Sequence, residues 1–379
     1  MTSIESARAY LIDLPVKTPR HDAIQSFVKQ ETILVELVTT DGLLGIGYSY
    51  TIGNGGSAVL AMLQEHLLPQ LIGHDATEIE AIWRMLWAST LATTVGAITS
   101  LALAAVDTAL WDLRCLRADE PLWIQAGGAR PRVRLYDTEG GWLQLPVDEL
   151  VRNAKASRDA GWRGIKIKVG KPSVAEDVAR IAAVRDAIGD EIDLMVDANQ
   201  AFSRSEAIRR AAAFGPYDLR WFEEPMRADD VVGHQMLRES TSIPVAVGES
   251  MYSVGQFGDY LARGAATIVQ VDVARVGGIT PWLKVAHAAE VANVEVCPHF
   301  LMELHVSLAA AVPNAPYVEH IPQLDLITSS RLRIEEGAAV APNRPGLGID
   351  WDLSMISSLA SCAGSGVSRE IREVDPVVQ

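Results

Sequence analysis

GIKIKVG (164–170), then AEDVARIAAVRDAIGD (175–190), then IDLMVDAN (192–199) reads as strand, helix, strand. The outer segments are β-branched and apolar, and the middle one repeats its apolar residues at helical spacing. The same alternation runs from about residue 130 onward. RVRLYDT (132–138), LRWFEEP (219–225), IPVAVGES (243–250), TIVQVDVA (267–274), VEVCPHF (294–300) and YVEHI (317–321) supply six more strand-like runs. They recur every twenty to thirty residues, most of them separated by Ala-rich helical stretches. Eight near-continuous apolar runs predict a closed parallel barrel, whose strands are buried on both faces. A doubly wound sheet would use fewer strands and a Gly-rich first turn, and no GxGxxG follows an early strand.

Working outward, residues 1–130 change character. ARAYLIDLPV (7–16), TILVELVTT (32–40) and LLGIGYSY (43–50) alternate, broken by the hairpin pair Asp41-Gly42. AVLAMLQEHLLPQLIG (58–73), ATEIEAIWRMLWAST (76–90) and ITSLALAAVDTALWDLRC (98–115) then repeat apolar residues at i, i+3, i+4 and i+7. An α+β capping domain is expected over 1–130, ending near Ala129-Arg130-Pro131, and a barrel over 131–330. The extended, turn-rich segment from 331 to 379 is expected to return to the cap. Its last fifteen or so residues, from Gly364-Ser365-Gly366, read as a weakly ordered tail.

Of 379 residues, 49% are hydrophobic and 21% charged, which excludes a disordered or coiled-coil chain. Forty-eight acidic against thirty-three basic residues give a net charge of −15, unfavourable for nucleic acid and anionic membrane surfaces. MTSIESARAYLIDLP (1–15) has no basic region before an apolar one, so a cytoplasmic location is expected. Cys115, Cys297 and Cys362, odd in number and far apart, are expected to be reduced packing residues.

The functional signal lies where the barrel strands end, since catalytic groups of such barrels sit at the C-terminal strand ends. Seven successive runs finish on a polar group: Lys166 and Lys168, Asp197 and Asn199, Glu223, Glu249, Asp272, His299 and Glu319. Residues i and i+2 share a strand face, so Lys166 and Lys168 point together, as do Asp197 and Asn199. Any one strand-end carboxylate could simply cap a helix or meet solvent. Seven in a row converging on one mouth would be costly without a ligand.

Asp197, Glu223 and Glu249 offer hard oxygen ligands with no Cys or His cluster beside them, which suits Mg²⁺ with positions left for water or substrate. HFLMELH (299–305) is no HExxH, and YDTEG (136–140) has no HxH, so a zinc hydrolase is disfavoured. A divalent cation beside Lys168 and His299 predicts removal of the proton next to a carboxylate, with the metal stabilising the enediolate. Lys166 and the cation should lower the Lys168 pKa, and Asp272 should orient His299.

This set, KxK (Lys166, Lys168), VDAN (196–199), EEP (223–225), Gly248-Glu249, the Asp272/His299 pair and Glu319, resembles the mandelate racemase subgroup of the enolase superfamily over nearly the whole chain. ALWDL (109–113) and VGGIT (276–280) add to the likeness. The resemblance implies an α/β fold: a modified (β/α)7β TIM-type barrel, its eighth unit without a helix, under an α+β cap built from both chain ends. It implies one Mg²⁺ per subunit on Asp197, Glu223 and Glu249, and Lys168 and His299 as opposed acid/base groups. Asp272 would support His299, Lys166 would contact the substrate carboxylate, Asn199 would contact substrate, and Glu319 would donate a hydrogen bond to the enediolate. It also implies a homo-oligomer acting on a small-molecule carboxylate.

Racemases, dehydratases and cycloisomerases share these residues, so specificity falls to the cap. The loop Lys17 to Asp22 is polar and basic, with Arg20 and His21 as candidate substrate contacts, and suits a hydroxylated, possibly di-anionic substrate. YTIGNGG (50–56) reads as a mobile lid or a turn, and VGGIT as a tight turn. Tyr136 to Gly141 and Asp272 to Ile279 look most like the acid-sugar dehydratases of the talarate/galactarate type. The leading expectation is a Mg²⁺-dependent acid-sugar dehydratase giving a 2-keto acid. Alternatives are a racemase or epimerase, a lactone or anhydrosugar cycloisomerase, and a non-catalytic binding protein.

Overall fold

The computed structural model describes residues 2–16, 19–27, 29–363 and 367–368. Lys17 and Thr18 of the cap loop, the side chain of Cys362, and residues 364–366 and 369–379 of the expected tail lie outside the described residues.

The cap sheet is antiparallel. β1 (Ile4–Leu14) pairs with β4 (Gln30–Thr39), and β4 with β5 (Leu44–Ile52) across the Asp41-Gly42 turn. Between β1 and β4 a small hairpin, β2 (Arg20–His21) and β3 (Ser26–Phe27), stands apart. Helical turns over 56–71 and helices Ile79–Ser89 and Ala97–Ala118 cover the sheet. The glycine loop after β5 is pinned: buried Glu31 accepts from the Thr51 hydroxyl (2.6 Å) and the Gly56 amide (2.8 Å). A turn, not an unattached lid, is what 53–56 forms.

The barrel strands run parallel in sequence order: β6 (Arg132–Asp137), β7 (Gly164–Lys168), β8 (Asp193–Asp197), β9 (Leu219–Glu223), β10 (Val245–Val247), β11 (Ile268–Val269) and β12 (Glu295–Val296). β13 (Tyr317–His320) closes back beside β6. A helix follows each of β6 to β12, and none follows β13 directly, which gives the (β/α)7β count. Inside, Tyr136, Met195, Trp221, Ala246, Ile268, Cys297 and Tyr317 form a separate buried cluster. Each comes from a different strand or strand end. The Tyr136, Trp221 and Tyr317 rings meet edge-on at 5.2–6.4 Å, a dense aromatic floor beneath the strand ends.

The C-terminal segment divides its partners. β14 (Ile334–Glu335) and β15 (Ala338–Val340) form a hairpin whose second strand pairs with β6 of the barrel. β16 (Ala360–Ala363) and β17 (Val367–Ser368) pair with β1 of the cap. Among the described residues Cys115 and Cys297 are free and buried, and no helix is long and apolar enough to cross a membrane.

Helix Ala97–Ala118 is tied to its surroundings through three side chains, two of which reach the barrel. Asp112 accepts amides from Ile46 (2.9 Å) and Leu347 (2.8 Å), and Trp111 Nε1 donates to Thr280 Oγ1 (2.9 Å). Asp107 Oδ2 accepts the Thr280 amide (2.9 Å) at the start of barrel helix Ile279–Val291. VGGIT is therefore the turn that presents this helix end to the cap.

Gly278 has φ +119°, and a Cβ there would lie 2.4 Å from Asp107 Oδ2. Gly278→Ala should lower unfolding stability by about 2 kcal/mol or more, against about 1 kcal/mol for Gly53→Ala, which has φ +83° but open space. Equal denaturation midpoints for the two variants would refute the contact. Asp107 Oδ1 is buried without a partner, and burial pushes the carboxyl up to about 7 despite the helix amides. Because the folded pKa lies above the ordinary 3.8, its stabilising contribution is complete below about pH 4 and is lost as pH rises through about 7. The stability difference between parent and Asp107→Asn should change over that window when both are titrated by chemical denaturation. A flat difference contradicts a protonated Asp107.

Candidate active site

Because each barrel strand stops at the same end, the polar residues that terminate the runs come together above the aromatic floor. Asp197 ends β8, Glu223 ends β9, and Glu249 follows β10 by two residues. One carboxylate oxygen from each lies within 4.8 Å of the others, and exposures are 0%, 0% and 6%. Trp221 Nε1 donates to Glu223 Oε2 (2.9 Å), tying this cluster to the floor.

Both lysines of the KxK run reach the carboxylates. Lys168 Nζ lies 2.5 Å from Asp197 Oδ2. Lys166 Nζ lies 2.8 Å from Glu223 Oε1, 2.8 Å from Glu319 Oε1 and 3.6 Å from Asp197 Oδ2. Burial works against both ammonium groups, yet the surrounding carboxylates outweigh it and raise both pKa values. Among the protein charges Asp197 outweighs Lys166 at Lys168, opposite to the like-charge effect of Lys166 taken alone. Burial pushes Glu223 up, and the neighbouring Asp197 charge adds to it. Three crowded, buried hard-oxygen donors, one of them so destabilised as an anion, fit a divalent cation of the Mg²⁺ kind.

Across the mouth, His299 Nδ1 lies 2.9 Å from Asp272 Oδ2 and Nε2 lies 3.4 Å from Glu249 Oε2. Burial would raise the Asp272 pKa, but the hydrogen bond and charge of His299 hold it down at about 2. An ionised Asp272 can only accept, so Nδ1 carries a proton in either state of the ring, and in the neutral ring Nε2 is the basic nitrogen. Tyr50 Oη donates to the same Asp272 oxygen (2.6 Å), and Arg275 Nε donates to Tyr50 Oη (3.1 Å). Arg275 also bonds the Glu249 carbonyl (2.8 Å).

Glu319, the implied donor to an enediolate, is here surrounded by donors. It accepts from Thr138 Oγ1 (2.7 Å) and the Phe300 amide (2.9 Å) besides pairing with Lys166. Burial alone would raise its pKa, but these partners, Lys166 foremost, hold it well below the usual carboxylate range. Asn199 sits in the cluster with φ +43°, buried, its Oδ1 without a partner. Arg20 reaches the rim but is paired with Glu139 (2.8 Å). The structure does not bring His21 to the cluster: it is exposed, and its Nδ1 meets Ser26 Oγ at 2.9 Å. His305 is structural, its Nε2 accepting the Val273 amide (3.1 Å).

Tyr50, Arg275 and Thr138 are the members that sequence reasoning missed. Tyr50 stands at the end of a cap strand, 222 residues from the carboxylate it serves, and carries no local signal. Arg275 and Thr138 lie in the strand-end loops, the right place to look, but many residues there are polar.

Fold and site together define a capped-barrel protein with a candidate divalent-cation centre between a lysine and a histidine. Residues 7–125 match the mandelate racemase / muconate lactonizing enzyme N-terminal domain and 149–355 the enolase C-terminal domain-like family, and the chain belongs to this family. It is 38% identical over 352 residues to L-talarate/galactarate dehydratase of Salmonella typhimurium, covering 91% of this chain and 88% of that protein. It is likewise 38% identical over 362 residues to 3,6-anhydro-alpha-L-galactonate cycloisomerase of Streptomyces coelicolor, covering 94% and 99%. The crystal structure of L-talarate dehydratase from Polaromonas sp. JS666 with Mg and L-glucarate superposes with a TM-score of 0.93 at 38% identity, covering 98% and 100%.

Tyr50→Phe removes a buried donor from Asp272 and an acceptor from Arg275 while keeping the ring on Phe300 (4.6 Å). Unfolding stability should fall by about 1–3 kcal/mol. An unchanged urea midpoint would remove Tyr50 from the network.

Proposed function

We propose that this protein is a Mg²⁺-dependent acid-sugar dehydratase that removes the proton next to a substrate carboxylate and then expels a β-hydroxyl as water. The enol so formed becomes a 2-keto acid. The observation that carries this reading is the placement of Lys168 and His299 at the two ends of the carboxylate arc, each held by its own aspartate.

Asp197, Glu223 and Glu249 would hold the ion, one per subunit, and bound there it supplies positive charge against the developing enediolate. Lys168 or His299 takes the α-proton, and the opposite group, as acid, protonates the departing hydroxyl. Asp272 fixes the His299 tautomer so that Nε2 faces the reaction. Lys166 has two donors committed to Glu223 and Glu319, and its 3.6 Å contact to Asp197 is too long for a hydrogen bond, which leaves one donor for the substrate carboxylate. Glu319, ionised, keeps that ammonium in place. Asn199 offers an unpartnered oxygen to a substrate hydroxyl. The negative net charge and free buried cysteines agree with a cytoplasmic enzyme without nucleic-acid or membrane partners, and family membership supports a homo-oligomer.

A cycloisomerase is the second reading, supported by the 38% identity to the anhydrogalactonate enzyme. There the same enolate expels a ring oxygen in place of water.

Incubated with Mg²⁺ and a pooled library of mono- and di-acid sugars, the parent should yield semicarbazide-reactive 2-keto acid. Lys168→Ala and His299→Ala should each lower the rate about 10²–10⁴-fold. Ring opening without water loss, seen by NMR, would select the cycloisomerase. Variants as active as the parent would contradict both readings.

A further inference from the structure

The β2–β3 hairpin lies against the barrel loop that follows β6. Leu143 N donates to the His21 carbonyl (3.0 Å), Gln144 Nε2 donates to Pro19 O (2.8 Å), and Gln144 Oε1 accepts from His21 N (3.2 Å). Phe27 packs on Trp142 with ring centroids 5.3 Å apart. Ala23 abuts Gly170, where a Cβ would lie 2.6 Å from the Ala23 methyl. Gly170 is two residues beyond Lys168, so the hairpin tip sits at the site itself.

That tip carries Asp22. Its carboxylate is 7% exposed, and Oδ1 accepts the amides of Ile24 and Gln25 at 2.8 Å each. Oδ2 is buried with no partner. Burial raises the Asp22 pKa, Lys168 and the two amides oppose that, and the Asp197 charge adds to it, so the carboxylate feels both site charges. The Trp142 ring is 5.3 Å from Lys168 Nζ, and its Nε1 is also buried without a partner. The hairpin tip thus carries an unfilled acceptor, and the indole beside Lys168 an unfilled donor. A sugar hydroxyl, which both donates and accepts, is the group that satisfies such a pair.

Charge excludes the other common terminus of an acid sugar. Among the described residues here, each cationic side chain already faces a carboxylate: Arg20 faces Glu139, Lys168 faces Asp197, Arg275 faces Glu249 (3.8 Å), and Lys166 lies between Glu223 and Glu319. Arg20, a candidate substrate contact, has its charge spent on Glu139. A second carboxylate held away from the ion would meet Asp22 and Glu139, with no unpaired cationic side chain among the described residues there to answer it.

We propose that Asp22 reads a substrate hydroxyl on the Lys168 side of the site and, with the Arg20–Glu139 pair, selects sugar acids that carry an uncharged hydroxyl or ether there over the corresponding diacids. This rests on the acid-sugar reading of the same site. It narrows that reading to mono-acids, against the di-anionic substrate that the polar cap loop suggested. Asp22 acts by accepting from a hydroxyl and by repelling a carboxylate. Glu139 is a positioning residue that keeps Arg20 neutralised.

The test is steady-state kinetics of the Mg²⁺-loaded enzyme on a panel of aldonates and aldarates matched in carbon configuration, with α-proton exchange in D₂O followed by NMR. The parent should favour the aldonate in kcat/KM by at least about ten-fold over its matched aldarate. Asp22→Asn should narrow that ratio by about ten-fold, through loss on the aldonate and gain on the aldarate. Glu139→Gln, which releases Arg20, should raise aldarate turnover through KM without improving the aldonate. Equal or better use of aldarates by the parent, or an unchanged ratio in both variants, overturns the proposal and leaves the acid-sugar reading standing. Exchange with no acid of either class overturns the acid-sugar reading, and the proposal falls with it.

Discussion

Lys166 is 1% exposed and carries its ammonium between Glu223 and Glu319, 2.8 Å from each, above the Tyr136 ring at 5.4 Å. An ion buried so deeply is tolerated only when its partners surround it, and removing one partner leaves the others uncompensated. The arrangement links β7, β9 and β13, so the barrel must close in one register for the charges to meet. The same register puts Asp197 beside Lys168 and Glu249 beside His299. The site is therefore preorganised by the charges it uses, and the aromatic layer below keeps water from relieving them.

Cap and barrel answer to each other through buried acids as well. Asp107 and Asp112 spend their oxygens on backbone amides of the barrel helix, the cap sheet and the C-terminal segment. Tyr50 carries the connection into the site, since a cap strand supplies the hydroxyl that shares Asp272 with His299. A site divided between two layers needs this rigidity, because a shift of the cap sheet would alter the orientation of the imidazole.

The barrel was legible because strands buried on both faces leave unbroken apolar runs, and because the polar residues ending those runs occupy equivalent places. Asp197, Glu223, Glu249, Lys168 and His299 come together as that argument expected. Their electrostatics were less legible. Lys166 and the cation are expected to lower Lys168, and among the protein charges Asp197 outweighs Lys166; Glu319, implied as a donor, pairs with the Lys166 ammonium. Pairings distant in sequence left no local trace. The β14–β15 hairpin joins β6 about two hundred residues earlier, and Arg20 finds Glu139 on another layer. In the cap loop, composition singled out Arg20 and His21, while the residue with an unfilled oxygen is Asp22.

The claim on which the account depends is that Asp197, Glu223 and Glu249 form a single divalent-cation centre between Lys168 and His299. Anomalous diffraction from crystals grown with Mn²⁺ in place of Mg²⁺ tests it most directly. The account predicts one strong anomalous peak per subunit among those three carboxylates, lost in Glu249→Gln. A peak elsewhere, or none at saturating Mn²⁺, would contradict it.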